Sequence, residues 1–410
     1  MTPTQQPATA STKRKNRLAG EPTLFFHIGQ HKTGTTSIQA FCKRNRKLLT
    51  EAGLAYPPFA NANHSTMMAA LFRDPTSRGT ENTDKRLLRE KSEDLAAALS
   101  DYLGRMARKG LSVLVSGEGL SIMTPVELER VQTFAARHYP HMVVVGLARP
   151  PLAFARSSAQ QRLRNGRTFA SFLNKVPAPR YAKRFGPSVE VFGRANVRLA
   201  AYHPSLLRGG DALQGVLDLM GCDEPSLTEA RSGRANTAMS LTAAKALSAY
   251  NESVRAGRPV PYLPPAILER WDHPTVAMLH GGYTRHVSLP EPAAALLLRT
   301  LLNVPGPRYR LAKEIVNAVR AESVEDVAWL KDTFGIDIAP LDEPEGDTLT
   351  LAEMAVFDDA EIAAVTSTFD AFIADPDSAI ARVTKRLDRK GERQAERSLK
   401  RLRGGHKGHA

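Results

Sequence analysis

The chain has 410 residues, 42% of them hydrophobic and 24% charged, enough for one large core with an appendage or for two ordinary domains. No run approaches the ~20 apolar residues of a membrane span, and the longest apolar stretch, residues 293–302, is interrupted by Arg299. The net charge of +14 is concentrated at the ends: residues 1–20 carry +4 and residues 381–410 carry +8, which leaves +2 for everything between. Two basic tails therefore account for the high charge, so specific nucleic-acid binding by the folded body is not indicated. Contact of the tails with a membrane surface or a partner is the most they suggest.

Cys42 and Cys222 stand far apart in no metal or redox spacing. This argues against a disulfide framework and a zinc site, and a reducing, cytoplasmic setting is expected. Residues 1–22 lack the apolar stretch of a secretory signal and read as a disordered basic tail.

In chain order, residues 23–28 read as a short buried strand bounded by Gly29, and residues 35–51 as a helix with Ile38, Phe41, Leu48 and Leu49 on its apolar side and Gly53 as its stop. A possible short strand at 54–57 precedes a polar segment containing His64 and a charged helical stretch over 85–109. Residues 111–116 form a second strand that ends at Gly117, Glu118 and Gly119. Thr124, Pro125 and Glu127 then supply the cap, proline and acidic first turn of a helix reaching about residue 138.

The valine-rich run 142–147 is apolar on both faces, as in a covered parallel sheet, and leads into Arg149 and Pro150. A helix over 152–164 and a strand over 197–202 follow. Strand and helix alternate to about residue 220, the pattern of a doubly wound α/β sheet. Helices are expected at 240–255 and 289–302, and the acidic, proline-containing stretch 340–350 reads as a linker. The expected organisation is a domain over 23–340, with its α/β core at 23–220 and a helical portion after it. A mostly helical extension with a basic tail would follow over 341–410.

Gly29 and Gly34, between the first strand and a helix opening with threonines, form an anion cradle: backbone N–H groups and the positive end of a helix dipole point at one place. The spacing matches that of ATP-binding phosphate loops, but those place lysine directly after the second glycine. Here that position is Thr35, and Lys32 precedes Gly34. No aspartate stands at the later strand ends where a nucleoside triphosphatase would hold Mg²⁺.

The run His31, Lys32, Thr33, Gly34, Thr35, Thr36 closely resembles the 5′-phosphosulfate loop of sulfotransferases, which use 3′-phosphoadenosine 5′-phosphosulfate as donor. The resemblance implies a P-loop-NTPase-like parallel sheet flanked by helices and no metal. It also implies that Lys32 stabilises the leaving phosphate while Gly34, Thr35, Thr36 and Ser37 cradle it, with His31 beside the donor. Arg149 and Ser157 stand at the spacing with which that family holds the donor's 3′-phosphate, and a guanidinium fork with a helical hydroxyl suits a phosphate dianion. Arg234 and Asn236, followed by Ser240 and Leu241, resemble a further motif of bacterial members, in which Arg234 would close over the nucleotide or cap the next helix.

Sulfuryl transfer also calls for a base. Glu118, at the end of a parallel strand between two glycines that permit close approach, is one candidate. His64 is the other, because imidazole titrates near neutrality. His27, within the first strand, reads as packed. The expected function is sulfuryl transfer to a hydroxyl or amine of a glycan, a lipid-linked sugar or a small metabolite. A kinase or nucleoside triphosphatase with a diverged loop, and a non-catalytic binder of anionic polymers, are the alternatives. Acceptor identity and oligomeric state are left open.

Overall fold

The computed structural model describes residues 21–30, 33–74, 92–232, 238–255, 300–342, 346 and 348–373. Its centre is a five-stranded, all-parallel sheet of β1 (Leu24–His27), β2 (Leu54–Ala55), β3 (Ser112–Ser116), β4 (Met142–Ala148) and β5 (Val197–Ala201) in the order β2-β3-β1-β4-β5. β1 lies in the middle, its Leu24 level with Val113 of β3 and with Met142 of β4.

Side chains alternate across the sheet, as the two-residue strand period requires. Leu24 and Phe26 of β1 enter one apolar cluster together with Val113, Val115, Met142 and Val144. Phe25 enters the opposite cluster together with Leu114, Val143, Val145 and Leu147. Both faces are therefore covered, which is why these strands read as continuous apolar runs.

The helices that cover the sheet are α1 (Thr35–Arg44), α2 (Arg46–Glu51), α3 (Ser65–Phe72), α4 (Ser92–Arg108), α5 (Pro125–Ala136), α7 (Tyr181–Phe192) and α8 (Ala212–Leu219), while α6 (Pro151–Arg164) packs away from it. α5 begins with the capping box expected of Thr124 and Glu127. The single helix expected over 35–51 is two helices, broken at Asn45, whose backbone leaves the helical region (φ −109°, ψ 33°) while its side-chain amide donates to the Phe41 carbonyl at 2.9 Å. Part of the segment read as polar is α3, which buries Met67, Met68 and Phe72. The sequence pattern also leaves α7 unread, since Gly186 and Pro187 at its centre look like a break.

A third apolar cluster joins α6 to α9 (Leu241–Arg255), α10 (Lys313–Phe334) and α11 (Asp359–Ile373). Of the helix expected over 289–302 only residues 300–302 are described, and both basic tails, as well as residues 85–91 of the charged stretch, lie outside the described residues. Asp342, inside the stretch read as a linker, is tied to the core: its carboxylate accepts from Leu152 N at 2.9 Å and from Ala153 N at 3.3 Å. Asp326 of α10 does the same for α7, accepting from Tyr181 N and from Ala182 N, the latter at 2.9 Å. Neither α6 nor α7 has a side-chain cap of its own. Among the described residues no helix is long and apolar enough to cross a membrane.

Candidate functional site

From β1 the chain runs to β2 at one edge of the sheet, whereas from β4 it runs to β5 at the other. The carboxyl ends of β1 and β4 thus flank a topological switch point, where open α/β sheets leave a crevice. A cleft of about 850 Å³ opens there.

Its floor is the loop after β1. Gly34 has φ +78°, a left-handed conformation that favours glycine, and a Cβ there would lie 2.8 Å from that of Ala212. A Cβ on Gly29 would come within 2.3 Å of Thr35 Oγ1. Both positions therefore need glycine for the loop to close onto α1. Thr33, fully buried, braces the turn by donating its hydroxyl to the Gln30 carbonyl at 2.7 Å. Gln30 locks the loop to the next strand end, its side-chain oxygen accepting from Arg149 N at 2.9 Å and its amide donating to Pro179 O at 3.2 Å. α1 carries no side-chain cap and no acidic residue in its first turn, so its dipole is left for whatever sits in the cleft.

Gly34, Thr35, Thr36 and Ser37 line the cleft, as do Arg149 and Ser157 from beyond β4. Segments more than a hundred residues apart in sequence thus share one wall system. Burial lowers the Arg149 pKa from its ordinary value, Tyr202 offsets part of that, and Arg156 and Arg308 press it further down. The Arg149 guanidinium lies 5.5 Å from the Tyr202 ring centroid. Arg156, Arg164, Arg231 and Arg308 also line the space, against the carboxylates of Glu118 and Asp211. Asp211 is engaged by Leu213 N, Ser232 N and Ser232 Oγ, all within 3.0 Å. The balance is strongly cationic, and a polyanionic guest fits it.

His31, Lys32 and Arg234 lie outside the described residues. Ser232 and Ala238, on either side of the segment with Arg234, both line the cleft.

Glu118 is half-buried at the end of β3 and lines the cleft. Its flanking glycines serve a different neighbour from the one expected. A Cβ on Gly117 would lie 2.8 Å from Ser65 N, and one on Gly119 would lie 2.9 Å from Ser65 Cβ, so the close approach they permit is that of α3. Gly119 N donates to Ser65 Oγ at 2.8 Å, which fixes the glutamate-bearing turn on α3.

His64 is fully buried and does not line the cleft. Its Nδ1 accepts from Ser116 N at 3.2 Å, and its ring lies between Tyr56 and Phe59 with centroids at 4.5 and 4.8 Å. Burial brings its pKa down to about 3. His27, equally buried, meets Ser116 Oγ at 2.9 Å and is lowered to about 4, again by burial, against a small opposing pull from Glu118. Gln39 donates to the same Ser116 hydroxyl at 3.2 Å. These groups form a neutral polar layer next to the strand ends.

Sequence reasoning missed Gln30, Tyr202, Arg156 and Arg308. Tyr202 follows β5 directly, and the rule that selects strand ends would have found it. Arg308 enters from the helical portion through an isolated bridge with Ser240, and no local pattern marks it. Among the described residues no group of three or more His, Cys, Asp and Glu side chains is gathered to hold a metal ion. No protein-family model, no curated protein and no solved structure matches the chain.

Proposed function

We propose that this chain is a sulfotransferase that moves a sulfuryl group from 3′-phosphoadenosine 5′-phosphosulfate to a hydroxyl or amine of a glycan, a lipid-linked sugar or a small metabolite. One observation carries the proposal: the Gly34–Ser37 loop and the pair Arg149 and Ser157, which resemble the two phosphate-binding ends of such enzymes independently, line the same cationic cleft. The sheet order β2-β3-β1-β4-β5, with the loop after its central strand, also agrees with a P-loop-like arrangement.

In this reading the α1 N-terminus and the hydroxyls of Thr35, Thr36 and Ser37 hold the 5′-phosphate, while Arg149 and Ser157 hold the 3′-phosphate. Glu118 takes the proton of the acceptor as its oxygen, or nitrogen, bonds to sulfur. The bond from sulfur to the bridging oxygen breaks, and its electron pair leaves with the 5′-phosphate, whose charge Lys32 stabilises. His64, buried behind Ser116, supports the layer next to Glu118 rather than receiving the proton. Reach toward the acceptor favours Glu118, because only it lines the cleft.

Calorimetry of the full chain tests the proposal. Adenosine 3′,5′-bisphosphate is expected to bind, and ATP with Mg²⁺ to bind much more weakly. The opposite order would overturn the proposal in favour of a nucleoside triphosphatase or kinase.

A further inference from the structure

α6 is wall to more than one space. At 100° per residue, Leu152, Ala155, Ala159 and Leu163 form one stripe and pack into the third apolar cluster. Ala153, Arg156, Ser157, Gln160 and Arg164 form a second stripe, roughly 120° round, that faces the donor cleft. Phe154, Ser158, Arg162 and Asn165 form a third, again roughly 120° away, and line a separate cleft of about 610 Å³. Gln161 lines both clefts.

This second cleft is of small-molecule size, and its chemistry is lopsided. Arg162, Lys175, Arg180, Lys183 and Arg184 line it, and among the described residues no carboxylate does. Arg162 and Arg184 are partly buried, and burial is the main cause that lowers the pKa of each, with Arg180 and Arg167 adding to it for Arg162 and Arg180 for Arg184. Glu118 is the leading opposing influence on Arg184. Arg180 has φ +56°, the sole left-handed non-glycine among the described residues, a backbone choice that costs about 1–2 kcal/mol. Its ion pair with Glu322, at 3.9 Å and half-exposed, offsets little of the local charge. Glu322, Glu118 and Asp326 offset part of this charge from outside the cleft, but its own lining presents five cations and no carboxylate, which an anionic guest would stabilise.

Two further features orient such a guest. Ile122, half-exposed, lines the cleft with Met123, Phe154 and Pro187, an apolar face on which an organic body can rest. The turn that carries Glu118 borders this cleft: Arg184 donates to Ser121 Oγ at 3.4 Å, and Ser121 in turn donates to the backbone carbonyl of Glu118 at 2.8 Å. Gln161, which lines both clefts, and Arg184, on which the Glu118 carboxylate acts, mark where the two spaces adjoin.

We infer that the second cleft is the acceptor site and that the acceptor is a small organic anion, presenting its hydroxyl or amine to Glu118 and a carboxylate, phosphate or sulfate to the arginines and lysines. This inference rests on the sulfotransferase reading for the word acceptor, but the charge of the occupant can be read without it.

The test titrates the full chain, saturated with adenosine 3′,5′-bisphosphate, with two anionic probes and their neutral counterparts: trigalacturonate against maltotriose, and 1-naphthyl phosphate against 1-naphthol. At least one anionic probe is expected to bind more tightly than its counterpart, and which of the two does so tells a saccharide carboxylate from an aryl phosphate. Lys175→Glu combined with Lys183→Glu, both at exposed positions, should weaken that binding about tenfold, the sum of two modest surface charge reversals. Bisphosphate binding should stay within about twofold, which also reports an intact fold. Failure of both anionic probes to outdo their counterparts, or indifference to the double reversal, overturns the inference. Failure of the bisphosphate to bind the unmodified chain overturns the sulfotransferase reading instead, and the probe titrations, repeated without it, still decide whether the cleft selects anions.

Discussion

The two clefts on either side of α6 are both cationic, but they are built differently. The first cleft, which the proposed function gives to the donor, rests on backbone: a glycine loop, an uncapped helix N-terminus and the carboxyl ends of parallel strands, with Arg149 pinned by Gln30. The second cleft rests on side chains of α6 and α7 and the turns beside them, and both helices are capped by carboxylates from much later in the chain, Asp342 and Asp326. Backbone cradles are rigid and suit an invariant phosphate. Side-chain walls exchange residues without disturbing a sheet, and suit the partner that varies from one enzyme to another.

Glu118→Gln would bear hardest on that contrast. It keeps the side-chain shape but removes the proton acceptor, and should lower transfer by about 10²–10⁴-fold while adenosine bisphosphate still binds. Lys32→Ala should produce a loss of similar order, through the leaving group. Near-normal turnover in either variant would remove that residue from the chemistry.

Arg149→Ala comes next. Losing a largely buried guanidinium from a phosphate should cost about 2–4 kcal/mol of bisphosphate binding, with probe binding in the second cleft unchanged. If both fall together by calorimetry, the clefts are not separate sites.

Acid should distinguish the two regions as well. In the unfolded chain His27 and His64 take up protons below about pH 6.5. Folded, they do so only near pH 4 and pH 3, so the unfolded state binds more protons throughout that window and stability falls as pH falls. The expected slope is roughly 1.4 kcal/mol per pH unit for each histidine. Both histidines touch Ser116 beside the donor floor, whereas none lines the second cleft. Denaturant titrations at pH 7 and pH 5 should show the loss, and a His64→Phe variant should show a shallower one.

The smallest effect concerns the helix that the two clefts share. Asp342→Ala removes the carboxylate over the first turn of α6, which should lower the unfolding free energy by about 1–2 kcal/mol and weaken ligand binding on both sides slightly. A loss confined to one cleft would show that α6 does not couple them.

Much of the fold around the first cleft was legible because its determinants are local. Gly29 and Gly34 announce a tight loop, Thr124 and Glu127 a capping box, and the run at Met142–Ala148 a strand covered on both faces. The break at Asn45 was not legible, because nothing in the apolar spacing of Ile38 to Leu49 marks an interruption. Nor was α7, where glycine and proline at the centre mask a helix that tertiary packing completes. Glu118 was legible as a strand-end residue, but the use of its two glycines to admit Ser65 was not.

By itself the sequence determined which segments form a parallel, doubly covered sheet and where a tight glycine loop turns into a helix, since strand period, glycine spacing and helix starts are set by neighbours along the chain. Only the tertiary structure decided that His64 is enclosed between two rings while Glu118 faces the cleft, and that α6 divides its surface three ways. Those outcomes depend on what lies across from each side chain. In Asp326 and Asp342 the partners come from about 145 and 190 residues further along the chain, a distance at which no local pattern carries information.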